Sequence, residues 1–177
     1  MAETTRKALA DSREQLALPF LLVVVGEFNA GKSAFINALL GARVLEEGVT
    51  PTTSRVGILQ HGSVVARTTR PDGIEETTAP AEALRALAIV DTPGTNAVLR
   101  EHEALTRDFL PRADLVLFVT SADRPYTESE RAFLEAIREW GKKVVFVLNK
   151  IDTKSETEIA QVLAYLETNV RQIFGFE

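Results

Sequence analysis

Residues 20–33 read Phe-Leu-Leu-Val-Val-Val-Gly-Glu-Phe-Asn-Ala-Gly-Lys-Ser, an apolar run followed by the pattern GxxxxGK[ST]. A phosphate-binding loop needs a strand to deliver it and a helix to receive it. The run 20–25 predicts the strand, and the helical pattern that continues to Leu40 and ends at Gly41 predicts the helix. This stretch therefore predicts a nucleotide-binding protein with an α/β fold.

Each position of the loop has an expected role. Backbone N–H groups are expected to wrap the phosphates, with Lys32 reaching the β- and γ-phosphates and the Ser33 hydroxyl binding Mg²⁺. Lys32 is also a candidate catalytic residue, because its charge meets the phosphoryl group that is transferred. The loop residues assigned to nucleotide binding are Gly26, Glu27, Asn29, Ala30, Gly31, Lys32, Ser33 and Ala34.

Composition narrows the class of protein. The chain has 177 residues, of which 45% are hydrophobic, so we expect one domain with a full core. Its net charge of −5 gives no broad basic surface, and direct binding to nucleic acid is not expected. The absence of cysteine excludes disulfides, and the longest apolar run is far below the roughly 20 residues that cross a bilayer. A cytoplasmic location is expected.

Strand-length apolar runs recur along the chain. Near-continuous runs of this kind are typical of parallel strands covered on both faces, and they lie at 20–25, 86–90, 115–119 and 144–148. Weaker stretches predict additional antiparallel strands at 55–60 and 63–69, continued at 74–78 after a turn. The predicted fold is a three-layer α/β P-loop NTPase with a mostly parallel sheet.

Two capping boxes mark the starts of later helices. One pairs Thr127 with Glu130, and the other pairs Ser155 with Glu158. A shorter helix is predicted over 100–110. The buried faces are expected to carry Phe133, Ile137 and Trp140 in the first of the capped helices, and Ile159, Val162, Leu166, Val170 and Ile173 in the second.

A second motif, Asp91-Thr92-Pro93-Gly94, follows the strand at 86–90, where ligands bind in open α/β sheets. Asp91 is expected to hold Mg²⁺ through a water, and the Gly94 N–H to contact the γ-phosphate. The polar segment 48–54 offers a hydroxyl to complete the metal shell, for which we choose Thr53, with Thr52 as the alternative. The predicted metal ligands are Ser33, Thr53 and Asp91, and Thr53 is also a candidate catalytic residue.

A third motif, Asn149-Lys150-Ile151-Asp152, follows the strand at 144–148. A carboxylate at Asp152 can accept two hydrogen bonds from guanine, whereas adenine offers no matching donors. An unpaired buried polar group costs about 1–3 kcal/mol, so the motif predicts GTP and GDP over adenine nucleotides. Asn149 is expected to brace the phosphate loop, and the Lys150 stem to lie along the base.

GKS, Thr, DTPG and NKID in this order resemble the G1 to G4 motifs of a translation-factor-class GTPase. The fuller strings at 26–41, 49–54 (VTPTTS), 91–98 (DTPGTNAV) and 118–130 (FVTSADRPYTESE) resemble the bacterial dynamin-like proteins and their chloroplast and mitofusin-type relatives. The resemblance covers about residues 18–152. It implies a GTPase head that forms a homodimer across its nucleotide face and drives a helical stalk that remodels or tethers membranes, so that the full-length protein lies at a membrane.

Two departures from GTPase patterns concern the catalytic residues and the length of the domain. Thr95 stands where Ras-like GTPases carry a water-orienting Gln, so hydrolysis is expected to be slow. Asn29 resembles the loop Asn of potassium-stimulated GTPases, which implies a K⁺ ligand and a candidate catalytic residue; bracing of the loop is the alternative role. We expect an N-terminal helix in 1–17 and a GTPase domain in 18–177 that is truncated before its last strand, since no G5 motif or stalk is present.

Two alternatives stay open. Asn29 also fits a potassium-dependent GTPase of the ribosome or tRNA-modification type. Thr95 also fits a GTP-binding module that switches partners with little turnover.

Overall fold

The computed structural model describes residues 19–48, 55–93 and 108–175. The strands in these ranges form one seven-stranded sheet with the order β3-β4-β2-β5-β1-β6-β7. Four neighbouring pairs are parallel, while β2–β5 and β3–β4 are antiparallel. The predicted α/β fold with a mostly parallel sheet is confirmed. The strand bounds are β1 Phe20–Val25, β2 Gly57–His61, β3 Ala66–Thr69, β4 Glu75–Ala79, β5 Leu87–Asp91, β6 Leu115–Ser121 and β7 Val144–Asn149.

Three strands form within 57–79, as the weaker predictions for 55–78 expected, but not all of them pair in the expected antiparallel way. β3 and β4 form the antiparallel hairpin, closed at the turn by a hydrogen bond from the Arg70 N–H to the Ile74 carbonyl at 2.8 Å. Gly73 takes a φ of 86° in that turn, which favours glycine. β2 instead runs parallel to β4 and antiparallel to β5. The hairpin therefore forms one end of the described sheet.

The described α-helices are α1 (Lys32–Leu40), α2 (Glu128–Glu139) and α3 (Glu156–Phe174), with short 3₁₀ helices at Glu82–Arg85, Leu110–Arg112 and Ile151–Thr153. Both predicted capping boxes form, and α1 ends at Gly41 as expected. The predicted helix in 1–17 lies outside the described residues, as does the one in 100–110 up to residue 107. None of the described helices is both long and apolar enough to cross a membrane.

Successive side chains of the central strand β1 face opposite sides of the sheet, so that a core forms on each side. Val23 and Val25 of β1 face one core, which includes Ile137 of α2 and Ile173 of α3. Leu22 and Val24 face the opposite core, which α1 covers with Ile36. Because each buried aliphatic side chain contributes about 1.5–3 kcal/mol, these two cores hold β1 firmly at the centre of the sheet. The loop that follows β1 therefore starts from a rigid support.

The outer parts of the last elements are less buried than predicted. Trp140 is 41% exposed and not in the core, because α2 ends at Glu139 and the chain turns at Gly141. In α3 only Leu166 and Ile173 of the predicted stripe are fully buried. β7 is exposed or half-buried throughout, and within the described residues it pairs only with β6. It is thus an edge strand there, and not one covered like β1.

Candidate nucleotide site

The predicted phosphate loop lies between β1 and α1, as the sequence requires. Gly26 has a φ of 148° and Gly31 a φ of 89°. A Cβ on Gly26 would lie 2.0 Å from the Val119 carbonyl oxygen, and one on Gly31 would lie 2.2 Å from Nδ2 of Asn149. Both positions therefore require glycine, and the loop ends at Gly31, the N-cap of α1.

Lys32 lies inside this loop. The residue is 7% exposed, and Nζ donates hydrogen bonds to the carbonyl oxygens of Gly26 and Glu27, each at 3.1 Å. Burial lowers the pKa of Lys32, while the carboxylates of Asp91, Glu130 and Glu27 act in the opposite direction. The predicted phosphate-binding cation is therefore held by the loop itself, within electrostatic reach of three acidic side chains.

The base-recognition motif contacts the phosphate loop directly. Nδ2 of Asn149, the last residue of β7, donates a hydrogen bond to the Ala30 carbonyl at 2.9 Å, which is the expected brace. Lys150 then takes a left-handed φ of 59°, and Asp152 lies exposed in the 3₁₀ turn that follows. The predicted guanine-binding carboxylate thus follows three residues after the Asn149 brace, in the turn at the carboxyl end of β7.

Two of the three predicted metal ligands lie in elements that reach this edge of the sheet. Asp91 ends β5 and is 1% exposed, and Ser33 is half-buried in the first turn of α1. Because β1 and β5 are parallel neighbours, their carboxyl ends lie side by side. The adjacent Thr92 donates a hydrogen bond from Oγ1 to the Val24 carbonyl at 2.9 Å, which fixes the end of β5 against β1. The remaining predicted residues Thr53, Thr52, Gly94 and Thr95 lie outside the described residues.

The side chain of Glu27 has a partner that the sequence analysis missed. Its Oε1 accepts hydrogen bonds from Oγ1 of Thr127 at 3.0 Å and from Oγ of Ser129 at 2.9 Å. Both donors lie at the start of α2, in the quoted string FVTSADRPYTESE. A carboxylate and two hydroxyls that are about 100 residues apart give no pattern within one window, so only the fold brings them together.

Glu130, one residue further into α2, is a buried acid of this site. The residue is 1% exposed, and Oε2 accepts hydrogen bonds at 3.1 Å from the Thr127 N–H and from Oγ1 of Thr120. Burial raises the pKa of Glu130, and the Glu27 carboxylate adds to the increase, against those two hydrogen bonds. Within the described residues Oε1 of Glu130 has no hydrogen-bond partner. The capping glutamate is therefore desolvated beside the phosphate loop.

Asn37 of α1 is a second residue whose role was missed. It is 6% exposed, and its side chain accepts hydrogen bonds from the N–H groups of Val44 and Leu45, both at 2.9 Å. It also donates to the Leu45 carbonyl and to Oε1 of Glu47. A single polar residue thus fixes the segment that leads toward the predicted metal-binding threonines. The sequence could have indicated this role, because Asn37 is an amide among the apolar residues of a helix.

Comparison with protein families gives a match over most of the site. The family model described as 50S ribosome-binding GTPase matches residues 21–150. This range contains the phosphate loop, the Asp91 motif and the Asn149 brace, and it extends over well more than half of the chain.

Individual relatives agree with the motifs. A probable transmembrane GTPase, FZO-like and chloroplastic, from Arabidopsis thaliana is 46% identical over 175 residues, covering 96% of this chain and 19% of that protein. A bacterial dynamin-like protein from Nostoc punctiforme is 29% identical over 200 residues, covering 88% of this chain and 29% of the relative. The resemblance to bacterial dynamin-like proteins and their chloroplast relatives is confirmed, and the chain spans well under half the length of either protein.

A solved structure shares the fold. One chain of an oligomerised bacterial dynamin pair, described in connection with the long-range sensing and tethering of membranes, superimposes with a TM-score of 0.76 at 19% identity. The match covers 96% of this chain and 33% of that one. At this identity the similarity shows the architecture.

Proposed function

The chain belongs to the family described as 50S ribosome-binding GTPase, and from that premise we propose that it is the GTP-binding and hydrolysing head of a dynamin-like GTPase. The observation that carries the proposal is the hydrogen bond from Asn149 to Ala30, because it joins the base-recognition turn and the phosphate loop in one site. The 46% identity to the FZO-like GTPase favours the dynamin-like branch.

The residues present fit a guanine nucleotide with Mg²⁺. The glycine cradle has no room for side chains at Gly26 and Gly31, and Lys32 supplies a cation inside it. We assign guanine recognition to Asp152, while Ser33 and Asp91, with Thr53, would hold the metal. When bound, Mg²⁺ neutralises charge on the β- and γ-phosphates. The protein's own part is to bind and orient the phosphates and to exclude adenine.

Asn29 is our candidate for the group that compensates for Thr95. It lies exposed in the loop with a left-handed φ of 62°, so its side chain is accessible at the phosphate site. We assign it a K⁺ ligand role, in which the cation stabilises the charge that develops during transfer. GTP turnover is then faster in K⁺ than in Na⁺ buffer, and Asn29→Ala removes the difference. Equal rates in the two buffers refute this role.

Activation by a homodimer of heads and action at a membrane complete the proposal. Support comes from the FZO-like relative, which is named a probable transmembrane GTPase, and from the solved bacterial dynamin pair, whose description names the sensing and tethering of membranes. Membrane contact would be made by parts of a longer protein, with the head itself cytoplasmic and at the membrane periphery. Turnover by the head alone is expected to be slow, because Thr95 stands where Ras-like GTPases carry a water-orienting Gln.

Nucleotide binding and turnover test the proposal together. Wild-type protein is expected to bind GTP and GDP and not ATP, and Asp152→Ala is expected to weaken guanine binding at least tenfold, since two hydrogen bonds of about 1 kcal/mol or more each are lost. Turnover per molecule should rise with protein concentration if heads activate each other. A wild-type chain that binds no guanine nucleotide disproves the proposal.

A potassium-dependent ribosome or tRNA-modification GTPase is the second candidate. The description of the matching family and the presence of Asn29 favour it. Co-sedimentation with 50S ribosomal subunits in the presence of a non-hydrolysable GTP analogue distinguishes the two candidates. Binding to the subunits supports the second candidate, whereas activation by concentration without ribosome binding supports the first.

The third candidate is a GTP-binding module that switches partners with little turnover. Thr95 favours it, because this residue replaces the Gln that orients water in Ras-like GTPases. Tight GTP binding with no hydrolysis at any protein concentration or in either buffer supports this candidate and excludes the other two.

A further inference from the structure

Glu27 is an unexpected residue to find in a phosphate loop. A carboxylate on this loop repels the phosphates that the loop is built to bind, unless its charge is directed elsewhere. In the structure it is directed elsewhere, because the hydroxyls of Thr127 and Ser129 both donate to Oε1 of Glu27. We call these three residues the phosphate-loop clamp.

The clamp and Lys32 hold Glu27 through different groups. The backbone carbonyl of Glu27 accepts from the Lys32 ammonium, while the Glu27 side chain is fixed to the first turn of α2. Thr127 is itself fixed as the N-cap of α2, because its N–H donates to Glu130 and its hydroxyl accepts from the Glu130 N–H. The loop is therefore connected through hydrogen bonds to a buried acid and to the rigid strand β6 at Thr120.

We propose that the phosphate-loop clamp positions the loop for nucleotide, so that the first turn of α2 sets the affinity of the site for GTP. The inference rests on the proposed function as a GTPase. Release of Glu27 from its two hydroxyl donors would return a negative charge to the phosphate side of the loop and loosen the path of residues 26–31. Glu27, Thr127 and Ser129 are in this view positioning residues.

Ser129 offers a clean test, because it is not a member of the capping box. Ser129→Ala removes one donor to Glu27 and the hydrogen bond between the Ser129 and Thr127 hydroxyls, while both hydrogen bonds of the capping box remain. Thr157→Ala is the matched control, since Thr157 occupies the same position in α3 and is exposed. Because Ser129→Ala loses a hydrogen bond to a charged group, its affinity for the non-hydrolysable GTP analogue β,γ-imido-GTP should be about tenfold weaker than that of wild type. The control variant should bind the analogue like wild type.

A rescue variant separates positioning from general damage to the fold. Glu27→Gln removes the charge and keeps a side-chain oxygen that can accept from Thr127 and Ser129. Combined with Ser129→Ala, it should recover most of the lost affinity, because a released Gln does not repel phosphate. Wild-type affinity in Ser129→Ala, or no recovery in the double variant, overturns the inference.

Amide hydrogen exchange of residues 26–33 without nucleotide provides a readout that does not depend on GTP binding. The clamp predicts faster exchange in Ser129→Ala than in Thr157→Ala. Equal exchange in the two variants overturns the clamp whatever the nucleotide result. Faster exchange together with a wild-type protein that binds no guanine nucleotide supports the clamp's hold on the loop and rejects the proposed function.

Discussion

The segments Thr127-Glu128-Ser129-Glu130 and Ser155-Glu156-Thr157-Glu158 are nearly the same in sequence, and each begins a helix with a complete capping box. Their surroundings differ. Glu130 is 1% exposed and lies behind the phosphate loop, whereas Glu158 lies exposed on the surface. The same four-residue pattern therefore forms a simple cap in α3 and part of a candidate binding site in α2.

The strand before each helix explains the difference. β6 is the direct neighbour of β1, so the helix that follows it begins beside the loop at the end of β1. β7 is one strand further out, and its helix begins beyond the Ile151–Thr153 turn. The pKa values respond accordingly, because burial raises that of Glu130, while hydrogen bonds from Ser155 lower that of Glu158. A capping motif thus acquires a second role from its position in the sheet.

The largest difference between the two caps is expected for replacement of the acid by alanine. Glu130→Ala leaves the buried Thr120 hydroxyl and the Thr127 N–H without their acceptor, which costs about 2 kcal/mol in the free energy of unfolding. Glu158→Ala should cost clearly less, because water can replace the lost acceptor. Urea unfolding of both variants measures the difference, and equal losses would remove the distinction between a buried and an exposed cap.

Replacement of the N-cap residues sharpens the comparison. Ser155→Ala should cost about 1 kcal/mol, the usual value for a lost cap. Thr127→Ala should cost about 1 kcal/mol more, because its hydroxyl also donates to Glu27. Of the two variants, Thr127→Ala alone should weaken binding of a GTP analogue. Isothermal calorimetry combined with urea unfolding tests this, and weaker binding in Ser155→Ala would show that the effect is not local to α2.

The two acids should give opposite dependences on pH. The pKa of Glu130 is raised above its ordinary value of 4.5, so its contribution to stability is complete below that value and is lost as pH rises through the folded pKa. Glu130→Gln therefore gains stability relative to wild type as pH increases. The pKa of Glu158 is lowered, so its contribution is present above 4.5 and is lost as pH falls. Unfolding curves of Glu130→Gln and Glu158→Gln between about pH 2 and 8 check the signs; slopes of the same sign contradict the assignment.

The smallest effect is expected for the ion pair between the segments that precede the two caps. Nζ of Lys154 lies 3.1 Å from Oδ1 of Asp123, with side chains 26% and 49% exposed. Pairs of this kind contribute under about 1 kcal/mol and are screened by salt. Lys154→Ala should lower stability slightly at low ionic strength and not at 1 M NaCl. A loss that persists in high salt would indicate that Lys154 has a packing role instead.

Much of the fold could be predicted from the sequence because its signals are local. The apolar run at 20–25 coincides with β1, and the two capping boxes give the starts of α2 and α3 without error. The glycines of the phosphate loop are informative for the same reason, since a left-handed φ is a property of one residue. The pairing of the strands within 55–78 was harder to predict, because side chains alternate between the two faces in the same way in parallel and antiparallel strands.

What the sequence could not reveal depends on contacts between distant segments. Glu27 meets Thr127 and Ser129 across about 100 residues, and no spacing within a single motif marks that contact. Trp140 was misplaced because the helical period was carried one residue past the end of α2. The burial of β7 was overestimated because an apolar run does not tell how many neighbouring strands cover it.

The edge strand β7 has a consequence for experiments in solution. Val145 on this strand is 46% exposed, and within the described residues the far side of β7 pairs with no other strand. Two chains can join by extending the sheet at such an edge, and this joining requires no nucleotide. A turnover rate that rises with concentration can then reflect accidental sheet extension. Val145→Lys, which places a charge on the edge and leaves the nucleotide face untouched, tells the two kinds of pairing apart.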